Sequence, residues 1–347
     1  MNLFLIIIFM ICIYKLKIKY NQGYFNDYMS IEKTTSIKGI FILFVFYRHI
    51  LNYASFNNSV DLYFNIINKL LSQLLVTMFL FYSGYGIFES IKKKKQEYID
   101  RIPINRILRV LIEFDIAIII FLAINILKGN KYTLKKIVLT FIGWDSIGNS
   151  NWYIFCILAT YTFTYLSFKI FKKSNIKAII GVTILSLFFI GIMSKYKQGY
   201  WYNTVLCYAY GMWFSYFKEK LEKFILESNG IYLFYLLSMI GFFVFIRKYV
   251  SRNILVYEMW CLLFVSIIVL ISMKVSINNS VLFWLGDNLF GLYILQRIPM
   301  IVFKDLGLLS YNKYIYFVVS LLFTGILATI FKKCISDNIS KCLKRIN

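Results

Sequence analysis

Few side chains in this sequence are equipped for chemistry. One of its 347 residues is a histidine. That residue, His49, closes the stretch Ser36-Ile-Lys-Gly-Ile-Phe-Ile-Leu-Phe-Val-Phe-Tyr-Arg-His49, inside an apolar run. A neutral imidazole can take a proton from a hydroxyl near neutral pH, which makes His49 the natural general base. Lys38 precedes it by eleven residues, so on a helix the two lie about 16 Å apart along the axis and within about 20° of one face. With Lys38 at one interface, His49 falls deep in the span, where ionisable groups face a protein interior or a water-filled cavity. The plainer account is a histidine hydrogen-bonded to a neighbouring helix for packing. A single imidazole argues against sites needing two or three. The six cysteines, at 12, 156, 207, 261, 334 and 342, include no C-x-x-C pair, so no disulfide framework or metal site is implied.

The elements that must position these residues follow from composition. Sixty per cent of the chain is hydrophobic, 20% aromatic and 16% charged, with a mean hydropathy of +0.68. Soluble domains run near half apolar and a quarter charged. The excess apolar surface calls for lipid, so the expected fold is an all-α polytopic membrane bundle. Apolar runs occur at Ile37 to Phe56, Ile66 to Phe88, Ile107 to Leu127, Trp152 to Phe171, Ile176 to Met193, Trp201 to Phe217, Gly230 to Ile246, Ile254 to Met273, Leu282 to Phe303 and Tyr314 to Phe331. That makes about ten core spans. The net charge of +23 would suggest a nucleic-acid partner in a soluble protein, but here the basic residues fall between apolar runs. With the segment before Ile37 in the cytoplasm, 25 of the 39 Lys and Arg lie inside, 12 outside, and Arg48 and Arg297 within spans. Both termini of the core are therefore expected to be cytoplasmic, in a multi-pass protein of the cell membrane.

Residues 1–35 form a first unit, an apolar helix and a basic linker, ahead of a transmembrane domain over 36–347. Residues 3–14 could be a signal-like segment, a short anchor or a further span; no A-x-A site follows, which favours retention.

Further motifs follow in order: Phe79-Leu-Phe-Tyr-Ser-Gly-Tyr-Gly-Ile-Phe88, Arg106-Ile-Leu-Arg109, Asn151-Trp152-Tyr153, and Leu285-Gly-Asp-Asn-Leu-Phe-Gly-Leu-Tyr-Ile-Leu-Gln-Arg-Ile-Pro299. Together with Lys38-x10-His49 they resemble the acyltransferase-3 family of membrane-bound O-acyltransferases, over roughly residues 36 to 303. Two departures stand out. Most members carry Arg where this chain has Lys38, which keeps the charge but loses the planar fork. Many have His where this chain has Gln296, so that position must act through an amide or through Arg297.

The resemblance implies a catalytic His49, acting as general base or as transient acyl carrier. It implies acyl-CoA binding, most simply acetyl-CoA, at Arg106 and Arg109, which share a helix face at i and i+3, and at Lys38. Ordinary positive-inside anchoring is the alternative for the two arginines. The implied acceptor is a hydroxyl of a surface or capsular polysaccharide or its lipid-linked precursor. Arg48, Glu113, Trp152, Gln296 and Arg297 are candidate supporting residues. Glu113 follows Arg109 by four positions, so it could orient the site or simply hold that helix end in an ion pair. Trp152 also fits an interfacial aromatic belt. Asp115, Glu258 and Asp287 are further acids in or near the spans. A transporter or flippase of lipid-linked sugar would share many of these features, but would add internal repeats or broken helices in matching halves. A scaffold would tolerate loss of His49.

Overall fold

The computed structural model describes residues 1–20, 23–251 and 253–346, with side chains through residue 343. Its helices run α1 Asn2–Ile13, α2 Ile31–Ile50, α3 Leu62–Leu71, α4 Leu74–Ile102, α5 Arg109–Leu127, α6 Leu134–Phe141, α7 Trp152–Ile170, α8 Asn175–Tyr196 and α9 Leu206–Ile225. They continue with α10 Asn229–Ile246, α11 Ile254–Lys274, α12 Ser280–Asp287, α13 Leu289–Leu295, α14 Arg297–Asp305, α15 Leu308–Tyr311, α16 Lys313–Phe331 and α17 Asp337–Ile346. Among the described residues the only strands are β1, Lys17–Ile18, and β2, Val275–Ser276, paired antiparallel. Helix dominates because a backbone in lipid must satisfy its own hydrogen bonds. Many helix starts are set locally: Ser30, Thr133, Ser174, Ser228, Asn253, Asn279 and Asn312 each accept an amide of the first turn that they cap.

Six helical segments are long and apolar enough to cross a membrane: Leu74–Leu127, Trp152–Ile170, Asn175–Tyr196, Asn229–Tyr249, Ile254–Lys274 and Lys313–Leu343. This is an all-helical membrane protein. The first segment holds two of the expected runs, and its helix is interrupted at Lys95 (φ 48°, ψ −130°), within the charged run Lys92 to Lys95. Three other expected runs fall outside the six for a physical reason each. Helix α2 carries Glu32, Lys33, Lys38 and Arg48; α9 continues into the charged stretch Lys218 to Lys223; and the run from Leu282 is divided at Asn288 and Gln296 into α12, α13 and α14.

Two boundaries differ from expectation in ways that matter for the site. Helix α2 starts at Ile31 and ends at Ile50, so Lys38 lies two turns in and His49 in the last turn. The run expected from Ile66 to Phe88 breaks at Ser72 (φ 40°, ψ −118°) between α3 and α4. Helix α1 packs against α3 and α12. The Asn2 side chain accepts from the Phe64 amide, near the His49 end of the bundle, while the Ile11 carbonyl accepts from Asn279, near the Lys38 end.

Two glycine crossings set how closely the central helices pack. A Cβ at Gly39 of α2 would lie 2.1 Å from the Leu282 carbonyl oxygen of α12, and one at Gly286 of α12 would lie 1.9 Å from that of Thr35 on α2. The second crossing joins α4 to α9. A Cβ at Gly84 would meet the Tyr208 carbonyl oxygen at 2.0 Å, and one at Gly211 that of Phe81 at 2.1 Å. Without a hydrophobic drive between helices in lipid, such small-residue contacts carry much of the packing. Helix α2 is thereby held against α12 on one side and α4 on another, with most of its residues buried.

Replacing Gly39 with Leu should therefore cost at least the roughly 1–3 kcal/mol of a typical overpacked core. Gly191, where an added Cβ meets nothing within 4 Å, should accept Ala without loss. Thermal unfolding followed by size-exclusion chromatography in detergent would check this; equal stability of the two variants would contradict the crossing.

Candidate active site

His49 faces the protein interior. The residue is 9% exposed, and its Nδ1 lies 3.3 Å from the Ser150 hydroxyl. Ser150 is buried at the end of a loop, Gly143 to Asn151, that is braced from within. Asn151 donates to the carbonyls of Gly143 (3.0 Å) and Asp145 (2.9 Å). The Asn149 carboxamide oxygen accepts from the Ile147 amide at 3.0 Å, and Asn125 of α5 donates to the Ile147 carbonyl at 2.9 Å. Gly143 and Gly148 supply positive φ of 76° and 109° where the loop turns. Lys197 closes the outer edge, donating to the Trp144 carbonyl and lying 4.1 and 4.4 Å from the ring centroids of Trp144 and Trp201. A serine fixed this way can set the orientation of the imidazole.

A cavity of about 520 Å³ opens at His49. Arg48, Asn52, Ser72, Gln73, Trp152 and Arg297 are among its walls, with Ser150 and Tyr293. The break between α3 and α4 is what brings Ser72 and Gln73 to it. Besides the aliphatic Val45, Leu75 and Val76, the lining is amide, hydroxyl, aromatic and guanidinium, with no carboxylate among the described residues.

A second cavity, about 660 Å³, lies toward the other end of α2 and is lined by Lys38, Arg106 and Lys93 together with Ser83, Tyr153 and Tyr161. No ion pair or hydrogen bond engages the Lys38 ammonium among the described residues. Arg106 donates from Nε to the Tyr98 hydroxyl at 2.9 Å. His49 and Arg106 thus line two different chambers, with aromatic rings between them. The Phe79 and Tyr153 rings lie 6.1 Å apart, Tyr153 and Tyr293 5.4 Å, and Tyr293 and His49 5.9 Å.

Arg109 parts company with Arg106. The segment Pro103–Leu108 is π-helical, and a wider turn rotates residues three apart off a common face. Arg109 instead pairs with Glu113 at 2.8 Å, and the other Glu113 oxygen accepts from the Ser336 hydroxyl at 3.0 Å. This pair ties α5 to the C-terminal segment and touches neither chamber. Gln296 also turns away from His49. Fully buried, it donates to the Tyr293 carbonyl at 2.9 Å and faces Phe46 and Thr324 across a small apolar void. Asp287 pairs with Lys332. Glu258 is 1% exposed and lines neither chamber.

Lys38 and Arg106 are thus brought together, and so are His49, Arg48, Trp152 and Arg297. Arg109, Glu113 and Gln296 line neither chamber. Ser150 and Tyr293 are the site residues that spacing did not reveal. Ser150 lies two positions before Trp152 in a motif read for its aromatics, and Tyr293 lies three before Gln296.

A family model described as an acyltransferase domain matches residues 35–332, from α2 through α16. The chain belongs to the acyltransferase-3 family. No curated protein and no solved structure matches it. As an acyltransferase-3 protein it is a membrane acyltransferase, and the Lys38-x10-His49 element spans its two chambers, with one residue in each.

Replacing Ser150 with Ala removes one hydrogen bond to the imidazole, about 0.5–1.5 kcal/mol. Acyl transfer should fall about 2- to 10-fold, with the melting temperature lowered by no more than about 2–4 °C. An unaltered rate would show that Ser150 does not orient His49.

Proposed function

We propose that this acyltransferase moves an acetyl group from acetyl-CoA to a hydroxyl of a cell-surface or capsular polysaccharide, or of its lipid-linked precursor. The observation that supports the reading best is the pair of chambers at the two ends of α2, one basic and one built around the sole imidazole. In this proposal the Lys38 chamber faces the cytoplasm and the His49 chamber the outer side. The bundle is then completed to ten spans by α2, α9 and the divided helix α12 to α14, with both core termini cytoplasmic. Ion pairs join helix ends that this alternation puts on the same side: Lys169 with Asp100 at 2.5 Å, and Lys128 with Asp305 at 2.6 Å.

The phosphates of the donor would sit against Lys38, Arg106 and Lys93, where charge-assisted contacts are strongest. The pantetheine arm would part the rings of Tyr153 and Tyr293 to bring the thioester to His49. With Nδ1–H donated to Ser150, Nε2 keeps its lone pair and takes the acceptor's proton. The acceptor oxygen bonds to the acyl carbon, the carbon–sulfur bond breaks, and the CoA sulfur leaves as thiolate and is reprotonated. Transient acylation of His49 would serve the same chambers in two steps.

His49→Ala should lower ester formation by about 10²- to 10⁴-fold, the usual worth of a positioned proton acceptor, with insertion intact. In the same assay Arg106→Ala should raise the KM for acetyl-CoA. Arg109→Ala should instead lower thermal stability, because it leaves the buried Glu113 carboxylate without its cation. Undiminished glycan ester content in His49→Ala would refute the reading.

A further inference from the structure

The His49 chamber holds two guanidinium groups without a counter-charge. Arg48 adjoins His49 in α2 and Arg297 opens α14, and both line the cavity. Both charges act electrostatically on the His49 ring. Neither makes an ion pair with any carboxylate among the described residues. Elsewhere in the chain the acids are spent on other cations: Glu113 on Arg109, Asp305 on Lys128, Asp287 on Lys332, Glu89 on Lys92. The Arg297 Nε is buried and has no hydrogen-bond partner. Its other neighbour is the Tyr53 hydroxyl, which supplies no full charge. Arg48 is exposed and Arg297 half-buried, so the cavity carries two like charges that attract an anion entering it.

The composition of the chamber narrows what that occupant is. Asn52, Gln73, Asn149 and Gln198 offer amides, and the rings of Trp152 and Tyr200 meet edge to face at 6.0 Å. Amides with aromatic faces suit a polyhydroxylated ring, and the planar arginine fork suits carboxylate or phosphate oxygens. The basic groups of the donor chamber lie on the far side of the Tyr153 and Tyr293 rings, so the two arginines are not needed for the CoA phosphates.

We propose that the acceptor is an anionic glycan, held by Arg48 and Arg297 through a carboxylate or phosphate on the sugar that is acylated or on its immediate neighbour. This rests on the acyltransferase reading above and specifies its acceptor. Either anion satisfies the same fork, and the site of acylation tells them apart.

The test compares glycan from cells carrying the wild-type protein, His49→Ala, Arg48→Gln or Arg297→Gln, using fragmentation mass spectrometry to place the ester. Expected is an ester on, or next to, a uronic acid or a phosphorylated sugar, with ester content falling about 10- to 100-fold in each arginine variant, the worth of a hydrogen bond to a charged group. The purified arginine variants should keep the thermal stabilisation that CoA gives the wild type, since the donor chamber is untouched. An ester on a neutral sugar with neutral neighbours overturns the inference and leaves the acyltransferase reading standing. So does loss of the CoA-induced stabilisation in the arginine variants, which would assign them to the donor. No ester difference between wild type and His49→Ala overturns the reading itself, and this inference with it.

Discussion

A charged side chain inside a bilayer is tolerated only where protein or trapped water surrounds it, and α2 is built around that constraint. It carries Lys38, Arg48 and His49, too many polar groups to face lipid. It can occupy the bundle because α4, α12, α13 and α14 pack around it. The crossing of Gly39 and Gly286 brings α12 to within backbone contact, and Lys38, Arg48 and His49 all line one or other of two chambers. The helices that fail a simple test of length and apolarity are among those that build the site, because the charges needed there are what make them fail.

From this arrangement a division of labour follows. Positive charge lines one chamber through Lys38, Arg106 and Lys93, while the chamber at His49 has its own pair in Arg48 and Arg297. Between them stand the rings of Tyr153 and Tyr293, whose centroids lie 5.4 Å apart. The loop from Gly143 to Asn151 gives the imidazole a fixed partner in Ser150, which a histidine in the last turn of a helix would otherwise lack.

Membrane character, the dominance of helix and the family were legible from residue type and spacing. Finer features were not, each because a longer-range effect overrode a local one. The Arg106-x-x-Arg109 spacing reads as one face only in a regular α-helix; the π-helical turn after Pro103 sends Arg109 to Glu113. Apolarity alone made Ile66 to Phe88 continuous, whereas the chain turns at Ser72 to line the His49 chamber. Gln296 was read as a replacement for an imidazole, yet it faces Thr324, and its neighbour Arg297 takes the place beside His49. Ser150 could not have been found by spacing, since its approach to His49 joins residues 101 positions apart.

The central claim is that donor and acceptor enter from opposite ends of α2 and meet at one imidazole. Sealed membrane vesicles of both orientations, carrying the protein and its own glycan, test it most directly when radiolabelled acetyl-CoA is added only to the external medium. Labelled ester should form when the Lys38 end faces that medium, be absent when the His49 end faces it, and vanish in His49→Ala. Equal labelling in both orientations, or labelling that survives loss of the imidazole, would contradict the account.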